Sequence, residues 1–215
     1  MGIRGLSKID TPPKNRLPVQ TYVVEKNDTL IKQVIERELA RDGQVFYLYN
    51  HTDRIANVAY KIASTVPNAK VAIGHGQMDK NELEDVMLRF MNKEFNVLIC
   101  TTIIETGIDI PNANTMIVED ADKFGLAQLY QIRGRVGRSE RGAYAYLLYK
   151  KDKAIQDDAL KRLKAIKEFT ELGSGYKIAM RDLSIRGSGD ILGGRQAGFI
   201  DDIGLNVYED LTRCD

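Results

Sequence analysis

Apolar and polar positions along this chain switch between two periods. Short runs rich in apolar and β-branched residues occur at 19–24, 45–49, 71–73, 97–100, 116–118 and 144–148. Each is too short for a helix, so each is predicted to be a strand. Between them lie stretches of helical period. One covers 28–42, with Asp28 placed at its N-cap and Gly43 at its stop. A second covers 53–65, with Ile55, Val58, Ala59 and Ile62 on one face, and a third covers 79–93, with Leu83, Val86, Met87 and Phe90. A fourth covers 126–133. Strands that alternate with helices and lack polar alternation are buried on both faces, which predicts an α/β fold with a parallel sheet covered by helices. In such sheets ligands gather outside the C-terminal ends of the strands, so chemistry is expected in the loops there.

The flanks read differently. Residues 1–18 hold three of the five prolines and are expected to form an entry linker. After Lys150 comes a long helical pattern over 152–172, striped by Ala159, Leu160, Leu163, Ile166 and Phe169. Gly173-Ser174-Gly175 breaks it, and a second helix is expected over 176–185, giving a helical hairpin. A glycine-dense loop follows over 187–198. The expected division is therefore a linker at 1–18, an α/β domain at 19–150, and a hairpin with its loop at 151–215.

Composition removes several classes of function. The 215 residues carry a net charge of +1 and no apolar run approaches a membrane span. Nothing at the start reads as an export signal, so a cytoplasmic location is expected. Cys100 and Cys214 form no C-x-x-C pair, which argues against a disulfide framework or a cysteine zinc site. His51 and His75 are the only histidines, too few for a multi-histidine metal site. No Gly-Lys dipeptide exists, so the loop G-x-x-x-x-G-K-S/T that cradles nucleotide phosphates is absent, and no dinucleotide fingerprint is complete.

Two stretches carry candidate chemistry. Gln131-Ile132-Arg133-Gly134-Arg135-Val136-Gly137-Arg138 sets three arginines within six residues, two of them directly after glycines. Glycines let the backbone approach another surface, and the planar guanidinium grips phosphate oxygens with two hydrogen bonds. A solvated basic turn leaving a helix would look the same in isolation. Upstream, Thr101-Thr102-Ile103-Ile104-Glu105-Thr106-Gly107-Ile108-Asp109 begins where a buried strand ends, and its hydroxyls and N–H groups suit phosphate contacts. A capped turn into a helix is the plainer alternative.

Together, in this order and at this separation, the two stretches resemble motifs V and VI of superfamily 2 helicases and translocases. The resemblance implies a RecA-like helicase C-terminal domain of the P-loop NTPase type, the second of two lobes that clamp ATP between them. Arg135 and Arg138 would then be arginine fingers reaching the γ-phosphate, and Gln131 would organise their network. Gly107 and Asp109 would lie by the ribose and lobe interface, and Thr101 and Thr102 would touch the nucleic-acid backbone. His75 and Gln77, in Gly74-His75-Gly76-Gln77-Met78, become further backbone-contact candidates. ATP and Mg2+ would be bound mainly by the missing N-terminal lobe, and the fragment alone is expected not to hydrolyse ATP.

Residues 183–198, from Leu183-Ser184-Ile185-Arg186 to Gln196-Ala197-Gly198, resemble the translocation motif of RecG-like enzymes. Its coupling positions fall on Arg162, Arg186 and Gln196, and the alternative is an irregular loop in which those side chains merely satisfy carbonyls. Val45-Phe46-Tyr47-Leu48-Tyr49-Asn50, Gly74-His75-Gly76-Gln77-Met78 and the run from Cys100 to Pro111 are more similar to the transcription-repair-coupling branch of that family than to RecG itself. Gly194-Arg195 departs from the common pattern. That branch implies a double-stranded DNA translocase that displaces stalled RNA polymerase and recruits the repair protein UvrA. A RecG-like branched-DNA helicase lobe and a non-catalytic DNA- or protein-binding module remain alternatives. The near-neutral net charge conceals a segment at 161–195 with eight basic and four acidic residues, a modest patch suited to a partner gripped and released in every cycle.

Overall fold

The strand-forming runs pair as six parallel strands in one sheet, ordered β1-β6-β5-β2-β4-β3. The computed structural model describes residues 17–102, 110–150, 155–169 and 175–187. The strands are β1 (Val19–Glu25), β2 (Gln44–Leu48), β3 (Val71–Gly74), β4 (Val97–Cys100), β5 (Ala113–Val118) and β6 (Ala143–Tyr149). The helices are α1 (Asp28–Ala40), α2 (Ile55–Thr65), α3 (Lys80–Met91), α4 (Leu126–Arg133), α5 (Asp157–Glu168) and α6 (Gly175–Gly187). Residues 1–16, 103–109, 151–154, 170–174 and 188–215 lie outside this description, and with them most of the entry linker, Gly173 and Ser174 of the expected helix break, and the glycine-dense loop.

Successive side chains of a strand point to opposite faces, and each face of this sheet has its own core. Phe46, Leu48, Leu98, Met116 and Val118 face α3, α4, α5 and α6, meeting Phe90, Leu129, Ile132, Leu163, Ile166 and Ile178. Val45, Tyr47, Val97, Ile99 and Ile117 face α1 and α2, meeting Ile35, Ile55 and Ile62. The central strands β2, β4 and β5 are buried throughout, as the lack of polar alternation predicts. Edge strand β1 instead alternates buried and exposed at its start. Both helices of the hairpin place apolar residues in the first of these cores rather than forming a separate one.

Some boundaries differ from the sequence expectation. Asn27, not Asp28, caps α1; its Oδ1 accepts from the N–H groups of Thr29 at 2.8 Å and Leu30 at 3.4 Å. Asp28 is the first helical residue, where its charge suits the positive helix end. Strand β5 starts three residues early because Ala113, Asn114 and Thr115 are small or polar yet buried.

Where α1 turns into β2, the backbone depends on a residue without a side chain. The Glu38 carboxylate is buried, and its Oε2 accepts from Thr115 Oγ1 at 2.5 Å and Arg41 Nη2 at 2.5 Å. A Cβ on Gly43 would lie 1.7 Å from the other oxygen, Oε1. The carboxylate cannot retreat without giving up bonds that offset its burial. Gly43→Ala is therefore expected to cost about 2 kcal/mol, roughly a 5 °C fall in Tm for a domain of this size. Thermal unfolding of the variant beside the wild type checks this.

Candidate nucleotide and nucleic-acid faces

Parallel strands require a connection that runs back along the sheet before the next strand begins. Helix α4 is such a return. It starts after Gly125, near the C-terminal ends of β2 and β5, and delivers its own C-terminus to the opposite edge. The arginine-rich turn therefore lies at the N-terminal edge, away from the loops at the strand C-termini. Gly107 and Asp109, between β4 and β5 in the chain, lie outside the described residues.

The turn is tight because it is anchored on both sides of its arginines. Arg135 N–H donates to Ile132 O at 3.0 Å and Val136 N–H to Arg133 O at 3.3 Å, which extends α4 by a narrow turn. Val136 is fully buried, so Arg135 and Arg138 flank an apolar plug. Gly137 has φ +74°, and a Cβ there would meet Ala143 Cβ at 2.8 Å and Val19 Cγ2 at 3.2 Å. Glycine is required both for the left-handed backbone and for the contact with the first residues of β1 and β6. Arg135 is half-buried, whereas Arg138 and Gln131 are exposed. Arg138 Nε donates to Gly134 O at 3.4 Å.

Arg133, the first arginine of the run, has a clear structural place. Its side chain is 5% exposed. Nη1 donates to Ile166 O at 2.6 Å and to Thr21 Oγ1 at 3.3 Å, and Nη2 donates to Phe169 O. Ile166 and Phe169 lie at the end of α5, where carbonyls have no partner within the helix and the dipole favours a cation. Burial draws the Arg133 pKa below the ordinary guanidinium value, although such a group stays charged.

Arg162 makes the reciprocal contact. From α5 its Nε donates to Phe124 O at 3.2 Å and its Nη2 to Asp122 O at 3.3 Å, in the segment that leads into α4. Arg186 belongs by its backbone to the last turn of α6. Its side chain, like Gln196, lies outside the described part of the chain.

The C-terminal edge gathers the other predicted positions. Thr101 N–H donates to Gly74 O at 3.2 Å and Thr102 N–H to Asn50 Oδ1 at 3.1 Å, so the ends of β2, β3 and β4 are tied together. His75 and Met78 close a turn on each other, with His75 N–H on Met78 Sδ at 3.3 Å and Met78 N–H on His75 O at 3.1 Å. His75 Nδ1 is buried without a hydrogen-bond partner, while Gln77 is exposed. Asn50 escaped the sequence reading, although a polar residue directly after an apolar strand is the signal that marks such positions.

Beside these lies a cleft of about 150 Å³ lined by Tyr49, Asn50, His51, Glu119, Asp120 and Lys123, among others. Lys26 Nζ meets Glu119 Oε2 at 2.7 Å, and Tyr47 donates its hydroxyl to the other oxygen of Glu119. Asp120, with left-handed φ 50°, receives Lys123 at 2.7 Å, His51 at 3.3 Å and Lys150 at 3.4 Å. Partial burial pushes the Asp120 carboxyl up. The Lys123 and His51 hydrogen bonds, with the charges of Lys123 and Lys150, outweigh it and hold the pKa down at about 2.

Among the described residues no group of three or more His, Cys, Asp or Glu side chains is placed to hold a metal ion. Cys100 is buried, which pushes its thiol pKa up and leaves it unreactive. No helix among the described residues is long and apolar enough to cross a membrane.

A parallel RecA-like sheet with a glycine-arginine turn in its last crossover, between α4 and β6, has the architecture of a helicase C-terminal domain. Residues 25–140 match the family described as helicase conserved C-terminal domain, and the chain belongs to that family. Over 213 residues, 99% of the chain, it is 62% identical to the transcription-repair-coupling factor of Bacillus subtilis (strain 168), of which it spans 18%. Identity to the corresponding factor of Staphylococcus haemolyticus is 58% over 211 residues, again 18% of that protein. The chain thus covers less than a fifth of the length of these curated relatives. Among solved structures, RecG bound to a three-way DNA junction is similar, with a TM-score of 0.72 at 34% identity over 91% of this chain and 26% of that one. S. cerevisiae Dbp5 bound to RNA and ADP BeF3 shares the fold, with a TM-score of 0.55 at 19% identity over 78% of this chain and 45% of that one.

Two outcomes follow from this geometry. Arg133→Met leaves the Ile166 and Phe169 carbonyls without their donor and is expected to cost about 3 kcal/mol. Amide hydrogen exchange should quicken over α5 and α6 while β2 and β4 keep their protection. Asp120, held at about 2 against about 4 in an unfolded chain, contributes stability in full above about pH 5 and loses it as the pH falls toward 2. In urea unfolding from pH 5 to pH 2.5, Asp120→Asn should show a smaller acid-dependent loss than the wild type.

Proposed function

We propose that this chain is the second motor lobe of an ATP-dependent double-stranded DNA translocase of the transcription-repair-coupling kind. The observation that carries the reading is the anchored turn that presents Arg135 and Arg138 at one edge of the sheet, opposite the edge that gathers Thr101, Thr102, His75 and Gln77. Arg135 and Arg138 act as arginine fingers on the γ-phosphate of ATP held by the N-terminal lobe, and Gln131 organises their network. Charge develops on the transferring phosphoryl group, and a fixed guanidinium stabilises it with little reorganisation. Gly107 and Asp109 serve the ribose and the lobe interface. Thr101, Thr102, His75 and Gln77 contact the DNA backbone. Arg162, Arg186 and Gln196 couple the nucleotide state to movement of the hairpin.

In this reading Mg2+ belongs to the N-terminal lobe, and stalled RNA polymerase and UvrA are partners of the whole protein. High identity to coupling factors over nearly the whole chain supports this branch. A RecG-like role on branched DNA is favoured by the 0.72 TM-score to the junction-bound enzyme. Displacement of a stalled polymerase on linear duplex, set against unwinding of a branched junction, separates the two.

In the whole protein, Arg135→Ala or Arg138→Ala is expected to lower DNA-stimulated ATP turnover by about 10³-fold or more while DNA affinity holds. Arg186→Ala is expected to spare turnover and remove translocation. The isolated lobe should hydrolyse ATP at background rate. Loss of DNA binding in the arginine-turn variants, or substantial turnover by the lone lobe, would contradict the assignment.

A further inference from the structure

Beyond Arg138 the turn leaves its valine plug and must still cross to the start of β6. A chain of side-chain hydrogen bonds holds it there. Ser139 Oγ donates to Asn114 Oδ1 at 2.9 Å and accepts from Arg141 N–H at 3.4 Å. Asn114 Nδ2 donates to Asn112 O at 3.3 Å, and Asn112 Nδ2 donates to Asp42 O at 3.1 Å and Gln44 Oε1 at 3.4 Å. Arg141 Nη1 adds a bond to Arg41 O at 2.9 Å. The arginine turn is thereby tied to β5 and to the turn between α1 and β2.

Asn114 stands out because it is 0% exposed inside a buried strand. A buried amide costs free energy that its hydrogen bonds at best return, and an apolar residue of similar volume would serve stability as well. What the amide adds is direction. It fixes one atom of the residue that immediately follows Arg138. An arginine that stabilises a developing charge must be held within about 0.5 Å, and a misplacement of 1 Å can cost about 10²-fold in rate.

We infer that Asn114 and Ser139 form a pin that sets the position of Arg138 for phosphoryl transfer. Both are positioning residues, acting on Arg138 through the chain that follows it. The inference rests on the arginine-finger reading above.

The test is steady-state ATPase kinetics of the whole protein with saturating duplex DNA. Ser139→Ala is expected to lower kcat about 10-fold, with KM for ATP and DNA affinity within twofold of wild type. Ser139→Thr keeps the hydroxyl and should return kcat to within about threefold. Asn114→Leu should lower kcat at least as much, and adding Ser139→Ala to it should lower kcat little further, because both remove the Ser139–Asn114 bond. Unfolding curves show whether each variant is folded, and Ser139→Ala alone carries the test if Asn114→Leu is not.

An unchanged kcat in Ser139→Ala, a fall shared by the threonine variant, or additive losses in the double variant would each overturn the pin. Arg138→Ala and Arg135→Ala measured alongside separate the two failures. If they retain turnover, the arginine-finger reading falls. If they lose it while Ser139→Ala does not, only the pin falls.

Discussion

Arg133 carries its charge to a nearly waterless point where α4, α5 and β1 meet. Its guanidinium closes the open carbonyl end of α5 and reaches Thr21 on β1, so one side chain on the last residue of α4 fixes the hairpin to the sheet. Arg162 makes the return link to the segment before α4. Two arginines thus cross between hairpin and lobe in opposite directions, each ending on backbone oxygens rather than on carboxylates. Carbonyl partners hold their places as long as the helices do, which makes the joint depend on secondary structure more than on pH. The apolar residues of α5 and α6 complete the joint by sharing the core of the sheet.

The edges of the sheet divide the labour that the proposed function requires. Parallel strands put every strand C-terminus at one edge, where backbone groups and short polar side chains collect. Every returning helix then delivers its own C-terminus to the other edge. A two-lobed motor needs one surface for a polymer that slides and another for a phosphate that is cleaved. An all-parallel sheet separates the two by the length of a strand, about 20 Å for six residues.

Much of this was legible from the residues. The switching of apolar periods marked all six strands and the sheet type, and α4 was delimited correctly because its apolar positions and Gly134 agree. The arginine turn stood out through its glycines. What escaped were features that need two distant segments. The partner of Arg133 lies over thirty residues away, and a basic residue in a signature gives no sign that it is buried. Asn27 and Asp28 are both good caps, and only the backbone decides between them. Thr101 and His75 follow strand C-termini, as the short apolar runs before them imply, whereas the arginines lie at the opposite edge, a placement that the crossover between parallel strands already implied.

The pairing of β1 with β6 has a mechanical consequence. The strands are parallel, with seven residues of β1 in register with seven of β6, from Val19 opposite Ala143 to Glu25 opposite Tyr149. The preceding chain enters at the start of β1, and the chain leading to the hairpin leaves from the end of β6. A pull between those two points drags the strands past one another lengthwise. Every hydrogen bond of the pair then bears the load at once, instead of parting one after another as in a zipper. If the lobe works as the proposed motor, force passing from its entry to its hairpin runs along the direction in which a sheet resists best.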